Sequence, residues 1–407
     1  MRRLALGLML AALLVAPAAG DGRPIHSHMN PALPKPAARP PFDFAATYTA
    51  DLWSNTRGGR ARGVRYLDNL DLTLTVDAGA AFGWQGATLF VYALYNNGRS
   101  LSGDLIGDLQ TASNIDTGGV QALRLYEAWV EQRLAGDRLS LKLGLFDLNS
   151  EFDTNDSSAI FINSSFGVGP DFSQSGRNGP SIFPVTSLAV RAQYQLTEHW
   201  RVRAAVLAGT PGDPAHPRRT AILLRPRDGV LLVGEAAYQD ADTQAAIGSW
   251  HYTARFDDLL ASAQAGQPVQ HGGNSGVYAY FERRLTHPGP STGLSGFIRV
   301  GIADQQANPF GSSIGGGLVY AGPLPGRAAD HLGLAVASVA LADRFRRAQA
   351  LAGEPTTARE TTIELTYRAP LTPRLTVQPD VQYIIHPGAD PRLRDALVVG
   401  LRAEVGF

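Results

Sequence analysis

The sequence predicts an all-β fold, a transmembrane antiparallel β-barrel of about 16 strands with long external loops and short periplasmic turns. Three observations predict it. An export signal stands at the amino end, apolar residues recur at every second position through most of the chain, and the connections alternate between long and short. After the amino-terminal run, no segment offers the roughly 20 apolar residues of a transmembrane helix. Because only helices and closed barrels satisfy every backbone group in hydrocarbon, a membrane protein with this sequence should be a barrel.

The amino-terminal residues have the pattern of a secretory signal peptide. Three residues, MRR, make a basic start, an apolar run covers 4–15, and the small residues APA follow at 16–18. We assign 1–19 to the signal peptide. Residues 20–41 contain six prolines, which suits an extended periplasmic segment, although simple disorder explains the composition equally well. The barrel domain is then 42–407.

From Phe42 onward the dominant period is two. In 68–77, for example, leucines and a valine alternate with asparagine, aspartate and threonine, which is typical of a strand with one apolar and one polar face. Within 122–133 either face could point outward, and 313–320 is rich in glycine. The candidate strands are 42–52, 68–77, 86–95, 122–133, 139–147, 187–196, 199–208, 230–238, 245–256, 276–285, 294–302, 313–320, 331–341, 360–369, 374–385 and 396–407.

The connections and the last strand support the same fold. Long gaps at 53–67, 96–121 and 148–186 alternate with short ones at 78–85, 134–138 and 197–198. Long external loops and short periplasmic turns are the rule in outer-membrane barrels. The final strand keeps its alternation up to Phe407, an aromatic residue on the apolar face, which resembles the terminal signature of such barrels.

Composition excludes several kinds of site. The chain has no cysteine, so it has neither disulfides nor thiolate metal ligands. Its 36 basic and 36 acidic side chains balance, which argues against nucleic acid as a partner and against a pore that concentrates ions of one sign. The sequence contains no GxSxG, GxxxxGK[ST] or HExxH motif, so we expect neither an enzyme nor a cofactor.

One segment is dense in oxygen ligands that suit calcium. The candidate ligands are Asp147, Asn149, Glu151 and Asp153. Phe152 stands where an EF-hand loop needs its turn glycine, so a polar loop without metal is the favoured interpretation.

The predicted inward face carries charges of both signs. Such a lining offers many donors and acceptors without an overall field, which suits neutral polyhydroxyl solutes, whereas a phosphate pore needs rings of Arg and Lys. The inward acids are Asp43, Asp71, Asp77, Glu235, Glu364, Asp380 and Glu404, and the inward bases are Lys142, Arg191, Arg201, Arg203, Arg299, Arg368 and Arg402.

The longest gap, 148–186, is expected to fold into the barrel. Its apolar residues are too many for a solvated segment and need a surface on which to pack. Its polar residues would then face the remaining channel. These are Glu151, Asp153, Asn163, Asp171, Ser173 and Gln174.

Several segments resemble the OprB-like carbohydrate-selective porins. The similar stretches are YTADLWSNTRGG (48–59), RYLDNLDLTLTVD (65–77), LYNNGRSLSGDLIGDLQTASNID (94–116), ALRLYEAWVEQ (122–132), the long motif at 146–191 and the terminal VGLRAEVGF. The resemblance implies a barrel of the Gram-negative outer membrane, monomeric and in contact with outer-membrane lipids, that passes small neutral carbohydrates such as glucose. It also implies a constriction of charged and polar side chains. The candidates are Arg65, Asp71, Arg124, Glu127, Glu151, Asp153 and Arg191.

Three other functions remain open at this point. A general diffusion porin would sort solutes by size and charge alone. An outer-membrane enzyme would use the barrel as a scaffold and needs a catalytic constellation that the sequence does not display. An adhesin or structural barrel would have a plugged lumen.

Overall fold

The computed structural model describes residues 40–287, 289 and 292–407, and these form a closed antiparallel barrel of 16 strands in chain order. The predicted fold class is confirmed, and each candidate strand overlaps one strand of the structure. The signal peptide at 1–19 and most of the segment 20–41 lie outside the described residues.

The strands differ from the predicted ones mainly in length. They are β1 Phe42–Arg57, β2 Gly63–Asp77, β3 Ala87–Gly98, β4 Ala122–Leu134, β5 Leu139–Phe146, β6 Ser187–Gln195, β7 Trp200–Ala208, β8 Val230–Gln239, β9 Thr243–Asp257, β10 Gln270–Arg284, β11 Gly293–Ala303, β12 Phe310–Ala321, β13 His331–Leu341, β14 Arg359–Thr372, β15 Leu375–Ile385 and β16 Ala396–Gly406. The barrel closes where β1 pairs with β16, from Thr47 opposite Gly406 to Arg57 opposite Leu397.

Helices are confined to the connections. The α-helices of the described residues are α1 Ala78–Phe82, α2 Pro170–Ser173, α3 Leu259–Ala265 and α4 Asp343–Leu351. None of the helices in the described ranges is both long and apolar enough to cross a membrane.

The two faces of the wall have opposite character. Outward positions carry large apolar side chains that the barrel leaves exposed, such as Phe44, Ile247 and Leu334. Inward positions carry buried polar and charged side chains, among them Asp71, Arg191 and Glu364. This is the alternation that a lipid-facing wall around a polar lumen requires.

A β-bulge explains why the orientation of β4 is ambiguous in the sequence. Tyr92 of β3 pairs with Glu127, and the next residue, Ala93, pairs with Leu125, so Tyr126 is the extra residue. In β4, the residues that point into the lumen have even numbers before the bulge and odd numbers after it. Tyr126 and Glu127 are consequently both buried on the lumen side. A bulge re-aims neighbouring side chains in this way.

Candidate functional site

The segment 147–186, which connects β5 to β6, folds into the lumen as the sequence predicts. Its aromatic side chains pack on the inner wall. Phe172 stacks on Trp250 of β9, with ring centroids 5.1 Å apart and planes 6° from parallel, and also on Tyr278 of β10 at 6.1 Å. Phe152 belongs to the same buried cluster. These buried rings form the first anchor, which holds the segment against the inner wall.

A second aromatic anchor lies further along the segment. Phe161 and Phe166 pack together with a centroid distance of 4.9 Å, and Phe161 lies 5.8 Å from Phe297 of β11. Ala335 and Ala337 of β13 complete the cluster. The segment leaves β5 and contacts β13, which is eight strands away in the sixteen-stranded barrel, so it crosses the lumen.

Arg299 of β11 forms a polar tie between wall and segment. Its guanidinium donates to Asp153, with a shortest N–O distance of 2.7 Å, and also to Asp171. All three side chains are at most 8% exposed. Burial raises the pKa of Asp153 to about 6 although Arg299 acts in the opposite direction. One arginine therefore holds two points of the segment that lie 18 residues apart in sequence (171 − 153).

A second charged cluster surrounds Glu151. Its carboxylate accepts from Arg191 of β6 at 2.7 Å and from Lys142 of β5, while Arg191 also lies 3.2 Å from Glu131. Burial alone would raise the pKa of Glu151, but the two cations beside it, together with Arg203, hold that pKa well below its usual range. Since the Arg191 side chain is fully buried, it acts as an internal clamp.

Wall carboxylates also bind the backbone of the segment. Glu364 of β14 accepts from the amides of Ile162 and Asn163 at 2.6 and 3.0 Å. Glu235 of β8 accepts from the amide of Asp153 at 2.9 Å. These bonds satisfy amides that have no secondary-structure partner in a buried setting.

The expected orientation of the polar residues in this segment is partly wrong. Asp153 and Asp171 bind Arg299, and Asn163 donates to Gln382 of β15 at 3.1 Å, so these three face the wall instead of the channel. An unpaired buried charge is costly, and the wall offers cations at inward positions. Glu151 and Ser173 do border the cavity.

A second external segment, 99–121, also turns inward. Ser113 donates to Asp51 of β1 at 2.8 Å, and Asp51 is paired with Arg402 of β16 at 2.7 Å. The two inward segments join each other, because the amide of Asn114 donates to the Ile162 carbonyl at 2.9 Å. The sequence did not predict this second inward segment.

A cavity of about 240 Å³ remains between the segments and the wall of β3, β4 and β7–β9. Its bases are Arg201 and Arg203 of β7. Arg201 donates to Gln239 at 2.9 Å, and Arg203 lies 3.3 Å from Glu235 and 5.5 Å above the Phe152 ring. The alternation of β7 predicted both as inward bases without singling them out as constriction residues.

Acids face the same cavity, namely Glu127, Asp147, Glu151 and Asp156. Asp147 accepts from the Tyr126 hydroxyl at 2.6 Å, and Glu127 accepts from the Trp129 indole at 3.1 Å. Burial and repulsion from Glu282 raise the pKa of Asp156 to about 6, although Arg201 lowers it. The cavity thus combines acids, arginines, amides and aromatic rings in one space.

The predicted constriction residues lie on the lumen side at different depths. Arg65 binds Asp104 at 2.9 Å. Asp71 accepts from Tyr92 and Asn69. Arg124 donates to Asn96 at 3.0 Å. Of the seven, the structure brings together only Glu127 and Glu151 at the cavity. The role of the set as a constriction stays a prediction.

The four candidate calcium ligands form hydrogen bonds and salt bridges with different protein groups. Asp147 binds Tyr126 and the Asn149 amide, Glu151 binds Lys142 and Arg191, and Asp153 binds Arg299. The Asn149 amide group donates to the carbonyls of residues 152 and 153. Within residues 40–287, 289 and 292–407, no three His, Asp or Glu side chains converge as a metal site would require. The geometry gives no support to calcium binding.

Comparison with known proteins gives a consistent result. A family model described as carbohydrate-selective porin, OprB family, matches residues 61–407. Porin B of Pseudomonas aeruginosa is 27% identical over 405 residues, covering 90% of this chain and 87% of the relative. The putative porin QuiX of Acinetobacter baylyi is 21% identical, covering 90% and 89%.

Solved structures share the fold. The high-pH structure of Pseudomonas putida OprB has a TM-score of 0.81 at 23% identity, covering 90% of this chain and 94% of that one. The outer-membrane channel DcaP of Acinetobacter baumannii has a TM-score of 0.55 at 11% identity, covering 90% and 97%.

Proposed function

The chain belongs to the OprB family of carbohydrate-selective porins of the outer membrane, and we propose that it selects small neutral sugars in the cavity between segment 147–186 and β7. The observation that carries this proposal is the mixed lining of that cavity. Arg201 and Arg203 stand on the strand side, while Glu127, Asp147 and Asp156 come from β4 and the segment.

This chemistry suits a solute with many hydroxyl groups. A sugar that enters a narrow space loses hydrogen bonds to water, and it must regain them from the wall. Guanidinium groups supply donors and carboxylates supply acceptors, so each hydroxyl can find a partner of the required kind. The lining carries both signs, with four acids and two arginines, so it differs from the single-sign ring of a phosphate pore.

Aromatic side chains supply the apolar part of the proposed site. Tyr92, Tyr126, Phe161, Phe166 and Phe183 border the same cavity. An aromatic face offers a flat apolar surface on which the CH groups of a sugar ring can rest. Since charged groups alone would favour water and ions, these rings add a preference for a ring-shaped solute.

We also propose an oligomeric state, a solute, a membrane setting and a route of export. The barrel acts as a monomer that passes glucose-like sugars and is surrounded by outer-membrane lipids, and residues 1–19 direct its export. Arg65, Asp71, Arg124, Glu127, Glu151, Asp153 and Arg191 shape the narrow part. The contacts of Arg191 and Asp153 give these two an indirect part, because they hold the segment that forms one side of the cavity.

A conductance experiment tests the proposal. Glucose added to a single channel should lower its ion current with a saturable dependence on concentration, because the sugar occupies a defined site. Arg201→Gln should weaken this block, since a charged group with five N–H donors is replaced by a neutral amide with two. Arg219→Gln, a change of the same charge in an exposed external loop, is the matched control and should leave the block unchanged. A linear, non-saturating effect of glucose would instead indicate general diffusion.

A further inference from the structure

The external segment 209–229, between β7 and β8, passes from the lumen to the outside of the barrel. Near its middle it is tied inward, because Arg124 donates to the Pro217 carbonyl at 2.7 Å. Three residues later the Thr220 hydroxyl donates at 2.9 Å to the carbonyl of Leu125, whose side chain lies on the lipid-facing surface. Residues 220–226, which we call the strap, then run along the outside of the wall.

The strap encloses an apolar groove of about 470 Å³ against the outer wall. Leu143 of β5, Val190 of β6 and Val206 of β7 form its floor, and these are outward, exposed positions. Leu223 and Leu224 of the strap form its side. The groove lies at the external ends of β6–β8, since Leu188, Ala208 and Val230 also border it.

The backbone of the strap indicates its depth in the membrane. Among the described residues, no amide from 221 to 225 donates to a backbone carbonyl. Irregular backbone exposed to lipid does not occur within the hydrocarbon region. The strap must therefore lie at the level of the outer headgroups, with its groove opening toward the acyl chains beneath.

The strap region carries the two components of a lipid-binding surface, exposed apolar side chains and exposed basic side chains. Ile222 and Leu224 are 50% and 67% exposed. Four arginines near them in sequence are exposed as well, at positions 218, 219, 225 and 227, and Arg225 borders the groove. The first three of these take part in no salt bridge of the described chain, and Arg227 has only a 3.9 Å contact with Asp228. Elsewhere in this barrel, arginines such as Arg191 and Arg299 are tightly paired.

We propose that this groove binds one acyl chain of a phosphorylated lipid of the outer leaflet, whose phosphate is held by Arg218, Arg219 and Arg225. Charge complementarity selects this occupant. An arginine fork binds phosphate with geometric specificity, and basic residues near a membrane surface attract anionic headgroups. A second copy of this chain is the competing occupant, but it would bring the same unpaired arginines against each other.

Native mass spectrometry of the detergent-solubilised barrel tests the proposal. The probe is dioleoylphosphatidic acid, compared with dioleoylphosphatidylcholine and with inorganic phosphate. The barrel should retain phosphatidic acid preferentially. The variant Arg218→Gln/Arg219→Gln/Arg225→Gln should retain it roughly tenfold less or weaker still, because each basic residue near the surface contributes to binding. Ala208→Phe, which fills the groove from β7, should also lower retention while the arginines remain.

The matched control is Arg62→Gln/Arg99→Gln/Arg347→Gln, which removes the same charge from other exposed external positions and should retain the lipid like the parent. Equal loss in both triple variants would overturn the proposal, because it would show a general charge effect. Displacement of the lipid by inorganic phosphate would contradict the claim that the groove binds an acyl chain. Dimers held through β5–β8 that exclude lipid would overturn it in favour of a second copy.

Discussion

Two external connections of this barrel, 147–186 and 209–229, fold in opposite directions. The first enters the lumen and buries four phenylalanines against the inner wall. The second reaches over the rim and lies against the outside. Both contain apolar and charged residues, so composition alone does not separate them.

The difference lies in the partners of the charges. Carboxylates of the inner segment meet wall arginines, as Asp153 and Asp171 meet Arg299. The outer segment carries mainly arginines, and the inner-wall residue that contacts it, Arg124, is itself an arginine. A connection enters the lumen when the wall can neutralise it, because an uncompensated buried charge is expensive.

The largest expected effect comes from shortening the inner segment. Replacement of residues 157–175 by a short Gly-Ser linker should raise single-channel conductance several-fold and abolish the saturable block by glucose, because a sixteen-stranded barrel without an inward segment has an open aqueous lumen. Replacement of 218–225 by the same kind of linker is the matched change in the outer segment. It should leave conductance unchanged, provided that both variants yield folded, heat-modifiable barrel. Equal conductance changes in the two variants would remove the distinction between the segments.

A smaller effect is expected from loss of the central clamp. Arg299→Met leaves Asp153 and Asp171 buried without a cation, which costs about 3–5 kcal/mol when one partner of a buried pair is removed. The inner segment should become sensitive to protease and the open-channel current should become noisy.

The triple variant Asp153→Asn/Asp171→Asn/Arg299→Met is the control for charge. It removes all three charges together and should recover most of the protease resistance. If it is as sensitive as Arg299→Met, packing around the arginine matters more than its charge.

A still smaller effect concerns pH. Burial and the neighbouring Glu282 raise the pKa of Asp156 to about 6, so this carboxyl is charged above that pH and neutral below it. As pH falls from 8 to 5, the cavity loses a negative charge, and the reversal potential in a salt gradient should shift modestly toward anions. In Asp156→Asn the shift near pH 6 should be smaller than in the parent, because one of the two carboxyls of the inner segment with a pKa of about 6 is lost and the other, Asp153, remains. A shift of the same size in parent and variant would assign the titration to another group.

The sequence predicted the barrel well because alternation is a local property. Outward and inward positions follow from a period of two, and this placed Arg191, Glu235 and Arg299 on the lumen side. The bulge at Tyr126 was not predicted, because a single extra residue leaves both faces of β4 with mixed character.

The candidate site was predicted less completely for a physical reason. The inward direction of 147–186 follows from its apolar content, whereas the partner of each carboxylate depends on how strands distant in sequence are placed around the lumen. Asp171 and Arg299 are 128 residues apart, and no local pattern connects them. The prominence of Arg201 at the cavity and the outward path of 209–229 depend on the same long-range arrangement.

The most direct test of the account uses the absence of native cysteine. Ala159 is exposed in the inner segment and borders the cavity, whereas Leu224 is exposed on the strap outside the wall. Ala159→Cys and Leu224→Cys are each treated with a charged methanethiosulfonate reagent during single-channel recording. We expect a stepwise fall in conductance for Ala159→Cys and no change for Leu224→Cys. Full conductance after confirmed modification of Ala159→Cys would contradict the claim that segment 147–186 forms one side of the pore.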